Sequence, residues 1–163
     1  MDLESSLNKQ IPLIIVGTKI GSFEPRKLSL KEAEKFEGNQ IFYSVTNKDL
    51  FKNKKISIFG GGDSALDWAL ELSKLNEITL IHRRNDFRGA THTLSKIKEK
   101  EQEGKIIIKT PYSLKSINGD KTMTGIEIEN EDGKLEKIKS DYILSFFGLV
   151  MKLGPIADWG LNI

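Results

Sequence analysis

The sequence predicts an α/β fold: a parallel sheet with crossover helices and an antiparallel β-meander on one side. Three observations predict it. Short apolar runs at 54–59, 77–82 and 105–110 alternate with two stretches whose apolar residues recur at three- and four-residue steps. Between 113 and 140 the texture changes to a two-residue alternation broken by turn triplets. A last apolar run, "DYILSFFG" (141–148), then reads as another buried strand.

Taken in order, residues 1–10 are polar and expected to fray. "PLIIVG" (12–17) reads as a buried strand, and 21–39 as a polar connection with a short helix near 30–36. "KKISIF" (54–59) is a strand that ends at three glycines. From Asp63 the period becomes helical, with Ala65, Trp68, Ala69, Leu72 and Leu75 on one face. "EITLIH" (77–82) is the next strand. Residues 91–102 form a highly charged helix with Leu94 and Ile97 inward, closed by Gly104, and "KIIIKT" (105–110) is a third strand. "SLKSING", "KTMTGIEIEN" and "KLEKIKS" alternate in twos around the turns "NGD" (118–120) and "EDG" (131–133). Strand, helix, strand, helix, strand requires right-handed crossovers and a parallel sheet. No internal repeat or low-complexity segment interrupts the pattern.

The composition narrows the function. The 163 residues suffice for one domain with a core, and 38% hydrophobic with 29% charged residues is ordinary for a soluble protein. No apolar run approaches the roughly 20 residues of a membrane helix. "IPLIIVG" (11–17) follows a polar, acid-containing segment, which suits neither a signal nor a transit peptide, so the expectation is a cytoplasmic protein with no membrane partner. A net charge of +2 does not indicate a nucleic-acid binder. Cysteine is absent, which removes thiolate metal sites, cysteine nucleophiles and dithiol redox centres from this chain. Two histidines, His82 and His92, are too few for a conventional metal site, and no metal is expected. Of the four arginines, Arg83, Arg84 and Arg88 fall within six residues. Arginine is the better planar fork for phosphate, so the cluster stands out against the scattered lysines.

Gly60, Gly62 and Ala65 satisfy G-x-G-x-x-A in "IFGGGDSALDWALEL", after a predicted strand and at the start of a predicted helix. The first glycine makes the turn, the second lets a pyrophosphate approach the backbone, and the small third residue lets helix and strand pack closely. Amides at the helix start then face the phosphates. The plain alternative is a tight strand–helix turn that holds nothing. Asp63 and Ser64 fall at the helix start, where they cap it, touch a ligand, or do both.

An NAD site places an Asp or Glu at the end of the second strand, about 20 residues past the glycines, for the ribose 2′-hydroxyl. Here that place is His82 or Arg83, followed by Arg84 and later Arg88, and no carboxylate stands there. A 2′-phosphate accepts charge-assisted bonds from such forks, which favours NADP. The missing carboxylate also argues against S-adenosylmethionine. The plain reading is a surface loop pairing with Asp86 and nearby glutamates, with His82 filling space or stacking.

"GGGDSALDWALEL" followed by "LIHRRNDFRGA" resembles the NADPH-binding domain of the thioredoxin reductase family, whose second strand ends in H-R-R-x-x-x-R. That family belongs to the pyridine nucleotide-disulfide oxidoreductase superfamily. The resemblance covers roughly 41–150 and implies a Rossmann-like parallel sheet. It implies pyrophosphate contacts from Gly60, Gly61, Gly62, Asp63, Ser64 and Ala65, 2′-phosphate contacts from Arg83, Arg84 and Arg88, and a cofactor-site position for His82. Phe147 and Gly148, in "SFFG", match a strand end placed against the adenosine side of the cofactor. Thioredoxin reductases carry C-A-T-C just upstream of the NADPH strand. Here "YSVTNK" (43–48) puts Ser44 and Asn47 in that place, and neither can cycle through a disulfide.

"GSFEPRKL", "YSVTNK", "GGGDSALDWAL" and "KLGPIADWGL" are similar to segments of the cysteine-free relatives, the thioredoxin reductase-like ferredoxin–NADP reductases, from about residue 13 onward. This similarity implies NADP as cofactor, FAD held by a separate domain of a full-length, homodimeric parent, and ferredoxin as partner. It divides the chain into 1–40, the edge of a FAD domain and a linker; 41–150, the NADPH-binding domain; and 151–163, leading back towards the FAD domain. The FAD-domain glycine motif and its second FAD-contacting stretch find no match, so the chain is expected to bind NADPH and to be catalytically silent by itself. No residue is assigned an acid–base role; Asp67 is expected to be solvated, and Trp68 and Trp159 to pack rather than stack on cofactor. Two other readings stay open: a stand-alone, non-catalytic NADP(H)-binding module, and a domain of a related flavoprotein reductase with another acceptor.

Overall fold

The computed structural model describes residues 22–152. The expectations for 1–17 and for Trp159 lie outside the described residues. The chain separates into two compact units, one comprising 25–149 and the other 1–24 with 150–163. Strands β1 (Ser22–Pro25) and β10 (Leu149–Lys152), at the junctions between the units, pair as a two-stranded sheet.

The larger unit is built on a five-stranded sheet. Its strands are β2 (Ile41–Phe42), β3 (Lys55–Phe59), β4 (Glu77–Ile81), β5 (Ile106–Lys109) and β9 (Tyr142–Ser145), in the order β2-β9-β3-β4-β5. Every neighbouring pair is parallel. Helices α1 (Asp63–Leu72) and α2 (Thr91–Gln102) join β3 to β4 and β4 to β5. Strands β6 (Tyr112–Gly119), β7 (Met123–Asn130) and β8 (Leu135–Lys139) form the antiparallel meander.

Two cores flank the parallel sheet. Ile56, Ile58, Leu80 and Leu144 pack with Ala65, Leu66, Ala69, Leu72 and Ile97 of the helices. Phe59, Ile81 and Ile143 point the other way, against Ile117, Met123, Ile126 and Ile128 of the meander. Covering both faces explains why β3 and β4 read as nearly continuous apolar runs rather than alternating ones. Gln40 joins the sheet to the meander: its amide N–H donates to the carbonyls of Asp141 at 2.9 Å and Met123 at 3.1 Å, and its Oε1 accepts from the Met123 N–H at 2.8 Å.

The helix and strand expectations from 54 to 145 agree with these elements, and a single 3₁₀ turn at Lys31–Lys35 answers the short helix near 30–36. The helix after the glycines ends sooner than its apolar period does. Leu75 lies beyond it and is 58% exposed, while Leu66 takes the buried position. Gly104, at φ +69, follows α2, and its N–H returns to the Glu101 carbonyl, a left-handed closure that suits glycine. Four elements have no counterpart in the sequence reading: β1, the two-residue β2, a 3₁₀ turn at Lys48–Phe51, and β10. Residues 25–40 belong to the larger unit, with Ala33 and Phe36 buried beside Ile41.

Candidate functional site

The glycines sit where β3 meets α1, each against a different surface. Gly60 has φ +151, and a Cβ there would lie 2.8 Å from the Ala65 Cβ and 2.9 Å from the Phe146 carbonyl. It makes the tight turn, and Ala65, fully buried, allows helix and strand to close on it. A Cβ on Gly61 would meet the His82 ring at 2.3 Å. Gly62 is open, with nothing within 4 Å of an added Cβ. The open glycine is where a ligand can approach the backbone. The spacing of the motif anticipates Gly60, Gly62 and Ala65; the reason for Gly61 is visible only in the folded chain.

The helix cap differs from the expectation. Gly62, in extended conformation, is the N-cap, and Asp63 is the first helical residue. The third glycine carries the loop one residue further, so neither Asp63 nor Ser64 caps α1. Asp63 Oδ1 instead accepts the Ala90 N–H at 3.0 Å, across to the loop after β4. Ser64 is exposed on the first turn.

That loop lies directly on the glycine turn. The Arg88 N–H donates to the Gly61 carbonyl at 2.6 Å, and Gly62 and Arg88 form a parallel bridge. A Cβ at Gly89 would come 2.1 Å from Leu66 Cδ1, so the loop is also seated on α1. Arg83, Arg84 and Arg88 are exposed, and none pairs with an acid among the described residues. The pairing with Asp86 and nearby glutamates that the plain reading requires is not formed.

His82 is partly buried between the turn and this loop. Its ring stacks on Phe87, centroids 5.4 Å apart, and its Nε2 is buried with no hydrogen-bond partner. Burial pushes its pKa down; a backbone hydrogen bond at Asp86 opposes this, and the guanidiniums of Arg83, Arg84 and Arg88 add to the depression. Burial and the neighbouring guanidiniums thus favour the neutral imidazole, which packs under Gly61.

Gly60–Ala65, His82, Arg83, Arg84, Arg88, Phe147 and Gly148 all line one cleft of about 1030 Å³. It opens at the carboxyl ends of β3, β4 and β9, where the strand order reverses direction from β3, the general place for ligands in open α/β sheets. The sheet order β9-β3-β4 sets Phe147 and Gly148 on the opposite side of β3 from the arginines. Phe147 is 42% exposed and meets Phe59 edge-on at 6.4 Å. Trp68 both packs on the helical core and lines the cleft, and Asp67 is exposed.

Sequence reasoning missed Arg26, Leu28 and Tyr43, which wall the cleft from a segment remote in sequence. Of the two residues standing at the dithiol place, Ser44 lines the cleft. Asn47 is occupied structurally: its Oδ1 accepts the Asp49 N–H at 2.9 Å at the start of the 3₁₀ turn. No helix among the described residues is long and apolar enough to cross a membrane.

The family model described as pyridine nucleotide-disulphide oxidoreductase matches residues 15–163. The chain belongs to this family. Within the family, it is 55% identical over 152 residues to a ferredoxin–NADP reductase of Pelagibacter ubique, covering 93% of this chain and 45% of that protein. A ferredoxin–NADP reductase of Flavobacterium johnsoniae is 45% identical over 153 residues, covering 93% of this chain and 43% of that protein. The chain thus spans a little under half the length of these relatives. Among solved structures, thioredoxin reductase of Lactococcus lactis superposes with a TM-score of 0.72 at 26% identity, over 78% of this chain and 42% of that one. The thioredoxin reductase of T. acidophilum, with a TM-score of 0.72 at 23% identity over the same shares, shows the same fold. The family is one of oxidoreductases, and the mixed α/β architecture read from the sequence is that of these structures.

Proposed function

We propose that the chain is the NADP(H)-binding domain of a flavin-dependent oxidoreductase of the ferredoxin–NADP reductase type. The observation that carries this reading is the arginine loop: three exposed guanidiniums without acid partners among the described residues, at the end of β4, where an NAD site would hold a carboxylate. The cleft floor fits a dinucleotide. Gly60 and Gly61 have no room for a Cβ, Gly62 leaves the backbone open to approach, and the start of α1 faces the same space.

Gly60–Ala65 would hold the pyrophosphate, and Arg83, Arg84 and Arg88 the 2′-phosphate, with His82 supporting the turn from beneath. With the 2′-phosphate held over β4, Phe147 and Gly148, which lie across β3, would face the nicotinamide half rather than the adenosine side. The bound nicotinamide would supply a hydride, and FAD held by another domain of the full-length parent would take it on the way to ferredoxin. In this reading residues 41–150 form the NADP(H) domain together with 25–40, which belong to the same compact unit, and the remaining flanking residues lead to the FAD domain of a cytoplasmic, homodimeric enzyme.

Calorimetric titration tests the cofactor assignment. The chain is expected to bind NADP and 2′,5′-ADP more tightly than NAD. Arg83→Ala or Arg84→Ala should each cost roughly 1.5–3 kcal/mol with NADP and much less with NAD. The preference should shrink as salt rises, because these arginines face solvent. Equal affinities, or a preference for NAD, would sink the assignment.

A further inference from the structure

We propose that Arg26 is a second anion-binding side chain of the cleft, holding the dinucleotide pyrophosphate from the wall opposite Arg83, Arg84 and Arg88. This rests on the reading of the cleft as an NADP(H) site and adds a residue to it. All four arginines of the chain line this one cleft, although Arg26 comes from a distant segment. Lys27 alone among the lysines joins them, and its Nζ is engaged by Glu37 at 2.5 Å. Arg26 is exposed and meets no acid among the described residues. It is the cation left available on that wall.

The backbone fixes where Arg26 stands. Its N–H donates to the Gly148 carbonyl at 3.0 Å, just past the end of β9. Strand β9 adjoins β3, where the Phe146 N–H donates to the Phe59 carbonyl at 2.8 Å, and the glycine turn begins at the next residue, Gly60. The following cleft wall is held by Tyr43, whose hydroxyl accepts the Leu28 N–H at 3.2 Å. The guanidiniums therefore attach on two sides of the turn: three after β4 and one beside β9.

A phosphorylated dinucleotide carries charge in two places. The loop after β4 answers the 2′-phosphate at one end. The pyrophosphate over Gly62 meets backbone amides and the carboxylate of Asp63, and among the described residues no cationic side chain of the turn or of the first turn of α1 balances it. Arg26 supplies that charge as a planar two-point donor.

Three ligands separate the roles. NADP and NAD both carry the pyrophosphate, whereas 2′-AMP carries only the 2′-phosphate. Arg26→Gln is expected to weaken NADP and NAD by the same factor, roughly tenfold, and to leave 2′-AMP binding unchanged. Arg26→Lys, which keeps the charge but loses the fork, should recover part of the loss. Calorimetry for the dinucleotides and NMR titration for 2′-AMP give the affinities, and a melting curve shows that each variant remains folded. Unchanged NADP and NAD affinities in Arg26→Gln would overturn the proposal, as would an equal loss for 2′-AMP, which would report only a general field. Failure of the NADP reading itself is distinct, because it appears in the unsubstituted chain as no preference for NADP over NAD.

Discussion

The main-chain N–H of Arg88 donates to the Gly61 carbonyl at 2.6 Å, which ties the arginine loop to the glycine turn. The Asp63 carboxylate reinforces the junction through the Ala90 N–H, and the His82 ring fills the space beneath Gly61. These contacts join the two poles of the proposed site.

Neighbouring glycines should respond differently to the same substitution. Gly61→Ala drives a methyl into the His82 ring and is expected to lower stability by roughly 1–3 kcal/mol. Gly62→Ala meets nothing within 4 Å and should melt near the parent temperature, yet weaken NADP by occupying the open backbone. Adding His82→Ala to Gly61→Ala should recover part of the lost stability, since the two residues are in contact. Thermal melts and NADP titrations of the four proteins check this, and an unperturbed Gly61→Ala would contradict the packing.

Stability should depend on pH through His82. Its folded pKa lies below the usual value, first because of burial and further because of Arg83, Arg84 and Arg88. As pH falls, the unfolded chain takes up the proton before the folded one does. The contribution is therefore complete above about pH 6.5, and is lost as pH drops from there towards the lower folded pKa. The melting temperature is expected to fall on acidification across this window, with a shallower slope in His82→Gln. Identical slopes in the two proteins would exclude the effect.

Gln40 should matter more for stability than a single surface glutamine usually does. Gln40→Ala removes three hydrogen bonds and leaves the N–H of Met123, a residue only 2% exposed, without its acceptor. The expected loss is roughly 1–3 kcal/mol by denaturant unfolding. A variant as stable as the parent would show that sheet and meander hold together without this clamp.

The polypeptide 1–163 is expected to purify without flavin absorbance, to bind NADPH, and to reduce neither ferricyanide nor ferredoxin above background. Hydride transfer needs donor and acceptor aligned within about 3–3.5 Å, and among the described residues the single glycine strand–helix turn carries the arginines suited to NADP. Thioredoxin reduction should be absent even when a flavin domain is supplied, because the chain has no cysteine and Asn47 is committed to the Asp49 N–H. Stoichiometric FAD retained through gel filtration would refute the first expectation, and NADPH-dependent disulfide turnover the second.

The sequence by itself determined the parallel sheet, both helices, the meander, and the glycine turn and arginine loop proposed to hold phosphates, because each is written locally. Apolar period distinguishes strand from helix, and Gly60, Gly62 and Ala65 are spaced by the turn they make. The arginines follow the strand that carries them. Leu75 misled because the helical period continued past the point where the chain leaves the helix. The tertiary structure alone decided the rest. Ile41–Phe42 is a strand only because β9 pairs with it, and Gly61 must be glycine only because His82 packs on it. Gln40 clamps a meander strand more than eighty residues away, and Arg26 reaches the cleft because Gly148 holds its backbone there. These are contacts between segments distant along the chain. No local pattern encodes them, since each residue's role is set by a partner that arrives only when the sheet closes.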